Sequence, residues 1–448
     1  MKRIKYLLIT LFLIILAGCA DEHVHSYVSG LKSSPEGHWF ECECGSKTEV
    51  EVHEGGIATC QRKAVCEKCN AEYGELGECK YIFKISNQKH WYECELCKKK
   101  KDEEVHSFDA GVRSKEPTDQ EDGVRVFTCS SCKYEKEESI PMIQGQEVAV
   151  YPNLTNADTV YYDGSIYSYG GNAPLVQQGS TNRTTAIYRY CVTTDKLYQL
   201  DVELEIATTS HRVVLVGSKV YIIGGTGASR PTKILVHDLE TQTITESGAV
   251  LPFGMNCFQF GQYENKIYIV SGTGAQKFDD VYCFDITTDE IIKLDVKLPN
   301  NVLKGAWCTV GKYAYIIGGI NSSPLDSIYR FNMETYEMET MNAKLPQATQ
   351  QLRAEYDGEG NIYIYGGATL ESEHYWKLDS YIIKYNIESD TAENLSYRLP
   401  QVVANACVEF TEYGMFILGG DNDYSNVIIK HVGDEVTYVR TPILMPTK

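Results

Sequence analysis

Six times along the chain a short apolar, aromatic run ends in a doublet of small residues. The first three copies are Ile166-Tyr167-Ser168-Tyr169-Gly170-Gly171, Val220-Tyr221-Ile222-Ile223-Gly224-Gly225 and Ile267-Tyr268-Ile269-Val270-Ser271-Gly272. The others are Ala314-Tyr315-Ile316-Ile317-Gly318-Gly319, Ile362-Tyr363-Ile364-Tyr365-Gly366-Gly367 and Met415-Phe416-Ile417-Leu418-Gly419-Gly420. Successive doublets lie 54, 47, 47, 48 and 53 residues apart. A continuous apolar run of this length predicts a strand buried on both faces, and the doublet predicts a bend at positive φ where backbones approach closely. A second landmark keeps the same period. Tyr190 to Thr194, His237-Asp238 to Thr241, Phe284-Asp285 to Thr288, Phe331-Asn332 to Thr335 and Tyr385-Asn386 to Ser389 each read as aromatic, polar, turn. The four threonines are 47 residues apart each time. Two landmarks sharing one period predict a repeat of four short strands whose outer pair is joined at the Thr or Ser turn. One such sheet cannot bury both faces alone, so radial stacking of six must supply the core.

This pattern resembles the kelch repeat, over about residues 148 to 448. The resemblance implies an all-β, six-bladed kelch β-propeller at residues 146–448. The family usually carries Trp three residues after the turn Thr; here stand Leu197, Ile244, Ile291, Met338 and Ala392, with Val436 in the last copy. The packing role is kept in a divergent form. Val148 to Tyr151 is available as a ring-closing strand.

The other end of the chain reads as an address. Lys2, Arg3 and Lys5 precede the apolar stretch Tyr6 to Ile15, which is short for a membrane span. Leu16-Ala17-Gly18-Cys19 resembles the bacterial lipobox. The resemblance implies a lipoprotein signal peptide at residues 1–19, lipidation of Cys19, and anchorage at the outer face of the bacterial cell membrane, or of the outer membrane in a Gram-negative cell.

Cysteine density then divides the chain. Ten cysteines lie between Cys42 and Cys132, whereas only five are spread over the repeats. Residues 20–145 therefore form a separate region of small Cys/His-rich β modules, and it repeats internally. His38-Trp39-Phe40-Glu41-Cys42-Glu43-Cys44 recurs as His90-Trp91-Tyr92-Glu93-Cys94-Glu95-Leu96-Cys97, with His53 and His106 downstream. Cys60, Cys66 and Cys69 are echoed by Cys129 and Cys132. The region resembles short zinc-ribbon-like modules found in tandem on clostridial-type surface proteins. Thiolates two residues apart can hold one tetrahedral Zn(II), completed by a distant Cys or His pair. By local spacing, Cys42 and Cys44 group with His53 and with His25 or His38. Cys66 and Cys69 group with Cys79 and Cys60, and Cys94 and Cys97 with His106 and His90. Cys129 and Cys132 are left without an obvious second pair. The zinc is expected to be structural, because modules with so little core need staples. Exported cysteines are open to oxidation into disulfides; the retained histidines favour metal.

A formal net charge of −19 leaves no field to attract nucleic acid. Aligned on the doublets, Asp158, Arg212, Asn256, Ala306, Leu352 and Ala406 form one ring and Ala157, His211, Met255, Gly305, Gln351 and Asn405 the ring before it, with Lys304 and Arg353 nearby. His211, Arg212, Asn256, Lys304, Gln351, Arg353 and Asn405 are thus candidate binding residues at the end of a central channel. Tyr375 and Trp376, beside Glu371, Glu373 and His374 in a long loop, are candidates for stacking on sugar faces. Hydrolase chemistry lacks a Gly-x-Ser-x-Gly elbow. Copper-radical chemistry needs two His and two Tyr on one metal, and the four histidines of the repeats are scattered. The expected function is non-catalytic binding of an extracellular protein or glycan. The alternative is an exported sugar-active kelch enzyme such as a sialic-acid epimerase, with Arg212 or Arg353 and Glu355 or Glu409 at the reacting sugar.

Overall fold

The computed structural model describes residues 24–440 except 29, 153, 174–181, 228–230, 373–374 and 422–425, so the segment 1–19 and Cys19 lie outside the described residues. All described secondary structure is β-strand. Two compact units are present: one holds the described residues up to Lys115 together with Val124–Ser139, the other Glu116–Gly123 and Ile140 onward.

In the second unit each repeat is a four-stranded antiparallel sheet with its strands in chain order. The leading strands are Asp158–Tyr162, Arg212–Val216, Gln259–Tyr263, Ala306–Val310, Arg353–Tyr356 and Cys407–Thr411. The apolar runs are the second strands. Gly145–Glu147 adds a fifth strand to the first sheet, on the outer strand Lys196–Glu203. Val148 to Tyr151, expected as a closing strand, instead leads inward to the fully buried Tyr151, whose hydroxyl lies 3.2 Å from Ser168 Oγ. The turn Thr and Ser residues sit between third and fourth strands. There Asp238, Asn332 and Asn386 accept N–H bonds from the turn backbone, and the next residue adopts positive φ, as at Gln242, Tyr336 and Asp390. Leu197, standing where Trp was expected, is fully buried, and Ile244, Ile291, Met338, Ala392 and Val436 pack partly buried against the core.

The core lies between sheets. Buried apolar side chains fall into six clusters, and each is drawn mainly from two neighbouring sheets: first and second, second and third, and so on to fifth and sixth. The remaining cluster joins the sixth to the first, with Phe416, Leu418 and Ile428 against Ile166, Tyr188 and Tyr190.

The doublets make this approach possible. The N–H of the second glycine donates to a carbonyl in the segment feeding the next sheet: Gly171 to Thr208, Gly225 to Met255, Gly319 to Thr349 and Gly367 to Val403, at 2.7–2.8 Å. In the sixth sheet Gly420 donates at 3.0 Å to Leu154, which feeds the first. A Cβ on Gly366 would stand 2.1 Å from the Val403 carbonyl oxygen. In the third copy Ser271 takes the first glycine's place at φ 53°, and its hydroxyl accepts the Val302 N–H at 2.8 Å.

Gly366→Ala should therefore destabilise the unit well beyond the roughly 1–2 kcal/mol of a left-handed non-glycine residue. Gly217→Ala, at φ 64° with nothing within 4 Å of its Cβ, should cost only that conformational part. Urea unfolding of the two variants measures the difference; equal losses would show that close approach is not what the doublet serves.

Candidate functional site

Pairing register fixes which residues share a level on the leading strands. Asp158 faces Tyr169, Arg212 faces Ile223, Gln259 faces Val270, Ala306 faces Ile317, Arg353 faces Tyr365 and Cys407 faces Leu418. The ring is thus Asp158, Arg212, Gln259, Ala306, Arg353 and Cys407. Three expected members, Asn256, Leu352 and Ala406, are displaced by Gln259, Arg353 and Cys407. Gln259 and Cys407 keep the offset to their doublets that Asp158, Arg212 and Ala306 have, whereas the fifth copy has a longer turn, Asp357 to Gly360, between its first two strands.

Two residues before each ring member stands a residue with positive φ: Asn156, Ser210, Cys257, Lys304, Gln351 and Asn405, at 52–62°. Their backbones are linked head to tail. Ser210 N–H donates to Asn156, Cys257 to Ser210, Gln351 to Lys304, Asn405 to Gln351, and Asn156 to Asn405, at 2.7–3.2 Å. Three expected binding residues, Lys304, Gln351 and Asn405, belong to this chain of backbone bonds. Asn405 Nδ2 also donates to Asp421 Oδ2 at 2.5 Å. Asn256 is buried one residue earlier, where its backbone bridges Thr273.

His211 is fully buried, its side chain against Gly170 and Gly225. Burial first, and Arg212 second, push its pKa down to about 3, so the ring is neutral at ordinary pH. Arg212 and Arg353 are 3% and 7% exposed, and both lie over the Trp307 indole, 4.0 and 5.0 Å from its centroid. Arg212 Nε donates to the Phe258 carbonyl at 2.9 Å. Arg353 Nε has no hydrogen-bond partner. Asp158 accepts the Val213 N–H at 2.9 Å; burial raises its pKa, against the pull of both arginines.

Beyond this level lies a cavity of about 380 Å³. It is lined from all six leading strands, including Thr159 and Tyr161, Val213 and Leu215, Phe260 and Gln262, Trp307 and Thr309, Glu355, and Glu409 and Phe410. Thr159 Oγ1 donates to Glu409 Oε1 at 2.6 Å. Burial pushes Glu409 up to about 8, against the Thr159 bond, and holds Glu355 well above the carboxylate range, with Glu409 adding to it. A carboxyl that keeps its proton near neutrality, as Glu409 does, can both donate and accept hydrogen bonds. Trp307 escaped the sequence reading, since a lone Trp in a strand reads as packing. The signal for the acids was Arg353-Ala354-Glu355 and Cys407-Val408-Glu409, which put an acid two residues past the ring on a strand that should be apolar.

Tyr375 and Trp376 are 60% and 37% exposed on a hairpin, Ala368–Ser372 with Tyr375–Leu378, inserted between the second and third strands of the fifth sheet. Glu373 and His374 of the same loop lie outside the described residues.

In the first unit the Cys and His residues converge, but not as local spacing suggested. His53 joins His38, Cys66 and Cys69, not Cys42 and Cys44. Cys94 and Cys97 join Cys60 and Cys79, and the unassigned Cys129 and Cys132 join His90 and His106. Cys42 and Cys44 keep His25 alone. The reason is strand geometry. His90 and Cys94 occupy one strand, Lys89–Cys94, four residues and about 13 Å apart, too far to share an ion.

The family pattern described as Kelch motif matches residues 307–337. The solved structure of YjhT superposes with a TM-score of 0.53 at 14% identity, covering 66% of this chain and 99% of that chain, a likeness of fold. None of the curated proteins matches the chain. The comparisons thus show one Kelch motif and an all-β fold like that of YjhT.

For Glu409 the folded pKa lies above the unfolded value, so the folded state binds more protons between about pH 4.5 and 8. Stability from this group is complete below that window and is lost as pH rises through it. Above about pH 6.5, where the lowered pKa values of His211 and His237 no longer work in the opposite direction, the melting temperature of the second unit should fall as pH rises to about 8.5. Glu409→Gln, which keeps an acceptor for Thr159, should flatten the fall; an unchanged slope would mean Glu409 ionises normally.

Proposed function

We propose that the six sheets close into a six-bladed propeller whose central cavity binds a single glycan residue, on an exported chain held at the outer face of the membrane by lipid on Cys19. Closure is supported by the cluster that joins sixth sheet to first and by the bond from Gly420 to Leu154. The observation that carries the function is the cavity itself. One space of about 380 Å³ receives side chains from every leading strand, and it combines Glu355 and Glu409, whose pKa values burial raises, with the Trp307 indole. That volume sits at the small end of ligand pockets and suits one sugar ring. Hydroxyls pair with carboxyls that act as donor or acceptor, and the flat sugar face lies on aromatic carbon. The exposed hairpin of Tyr375 and Trp376 is a second surface for a larger glycan or a protein.

One observation favours a catalytic reading. Glu409, with a pKa of about 8, stands beside Glu355 in the same cavity. In a sugar epimerase one carboxyl would give its proton to the ring oxygen while a carboxylate takes the anomeric hydroxyl proton. The ring C–O bond opens and recloses on the other face, returning both protons.

Titration calorimetry with a panel of monosaccharides, sialic acid included, tests both. Trp307→Ala and Glu355→Gln should each weaken binding about tenfold or more, and Trp376→Ala should leave it unchanged. The reverse pattern would move the site to the hairpin. NMR exchange between sialic acid anomers, accelerated by the protein and not by its Glu409→Gln variant, would make it an epimerase. Cys19→Ser should shift the chain from the membrane fraction to the soluble one; retention in the membrane would refute the lipid anchor.

A further inference from the structure

The first unit has almost nothing to hold it together by ordinary means. Its buried apolar side chains, among the described residues, are Ala64 and four cysteines: Cys42, Cys66, Cys94 and Cys129. Its buried polar residues are His38, His90 and His106. Large apolar side chains such as Val52, Ile57 and Val105 are 65–88% exposed. What occupies the interior is sulfur and imidazole.

These groups meet in sets of four whose ligand atoms all lie within 4.8 Å of one another. The spacing is informative. Two sulfurs on one tetrahedral zinc stand about 3.8 Å apart, and a sulfur and a nitrogen about 3.6 Å, for bonds near 2.3 and 2.0 Å. Here Cys60 and Cys94 sulfurs are 3.5 Å apart and those of Cys79 and Cys97 3.6 Å. His38 Nδ1 is 3.7 Å from Cys66 Sγ, and His53 Nδ1 is 3.4 Å from Cys69 Sγ. His106 Nδ1 is 3.4 Å from Cys132 Sγ and 3.5 Å from His90 Nδ1.

The far nitrogens are held too. His53 Nε2 bonds the Ser34 carbonyl and His106 Nε2 the Ser86 carbonyl, both at 2.8 Å. His38 Nε2 stands 3.5 Å from Glu51 and His90 Nε2 3.5 Å from Glu104. A carbonyl or carboxylate on the outer nitrogen fixes the tautomer that turns Nδ1 toward a metal. The same arrangement is built twice, 52 or 53 residues apart in the chain.

We propose that the first unit binds three zinc ions, each shared between successive repeats. Two sites are His₂Cys₂ and the one between them in sequence is Cys₄. The strand Lys89–Cys94 gives His90 to one ion and Cys94 to another, and the segment from Cys60 to Cys69 likewise serves two ions. The ions therefore act as a chain of links, and the unit folds around them as a whole. Disulfides would use the sulfurs and leave four converging imidazoles without a role.

Metal analysis of the full chain, purified under reducing conditions, should give three zinc per chain. Fewer than three after saturation with zinc, or Cys60–Cys97 recovered as disulfides from air-exposed protein at the expense of zinc, would overturn the assignment. The sharing is tested separately. Cys129→Ser with Cys132→Ser should release one zinc, whereas sites built within a repeat from His90, Cys94, Cys97 and His106 would lose none. His53→Cys, which keeps a ligand, should retain three ions where His53→Ala retains two. Chelation should open residues 24–139 to protease and leave the kelch repeats resistant; resistance throughout would show that the metal does not hold the fold.

Discussion

Everything in the kelch unit depends on one contact, a glycine N–H given to the carbonyl that feeds the neighbouring sheet. In the five Gly-Gly doublets both glycines sit at positive φ, and a Cβ on the first would stand 2.1–2.8 Å from that carbonyl; in the third copy Ser271 takes the place and its hydroxyl accepts the Val302 N–H. The contact brings sheets close enough for Tyr, Ile and Phe on facing surfaces to interdigitate, which produces the between-sheet clusters. It also sets where each leading strand begins. Because the donor and acceptor belong to different repeats, the glycine of one repeat positions the site residue of the next. His211 shows the link directly: its side chain rests against Gly170 and Gly225, and Arg212 follows it into the ring.

The cavity follows from the same constraint. Six leading strands start from six left-handed residues tied backbone to backbone, so their first side chains are delivered at one level. Placing charge at that level is costly, and the residues there respond as burial dictates. Burial lowers the pKa of His211 and raises those of Glu355 and Glu409 two residues further on, and Arg212 and Arg353 spread their charge over an indole. An apolar strand would be more stable at Glu355 and Glu409. On the proposed reading, a ligand's hydroxyls would supply there the solvation that the protein withholds.

Local features of this fold were legible in the sequence, and features that depend on pairing between repeats were not. The apolar run, the doublet and the Thr turn each act within a few residues, so their spacing revealed four strands per repeat. The ring was read three positions off at Asn256 and one off at Leu352 and Ala406, although Gln259 and Cys407 keep the same distance to their doublets as Asp158 and Arg212; only the fifth copy, with its longer turn, departs from it. Lys304, Gln351 and Asn405 were singled out for their side chains, yet their backbone conformation is what the structure uses. The Cys and His residues of the first region were all recognisable. Their partition was not, because spacing along a chain says which atoms are near in sequence, and an extended strand carries His90 and Cys94 to opposite ends.

The two units answer the same problem in opposite ways. A thin sheet buries one face poorly, and a two-stranded hairpin such as Lys32–Ser34 with Gly37–Trp39 buries almost none. The kelch unit solves this by numbers: each sheet lends both faces to neighbours, and about half of its strand positions are apolar. The first unit has too few apolar residues for that remedy, so side chains with directional lone pairs stand where leucines would. The choice has a consequence for each. Apolar packing tolerates the drift of side chains seen where Leu, Ile, Met and Ala replace one another after the turn Thr. A set of metal donors, as proposed for the first unit, would tolerate only another donor, in keeping with His38, His53, Cys66 and Cys69 reappearing, partner for partner, as His90, His106, Cys129 and Cys132.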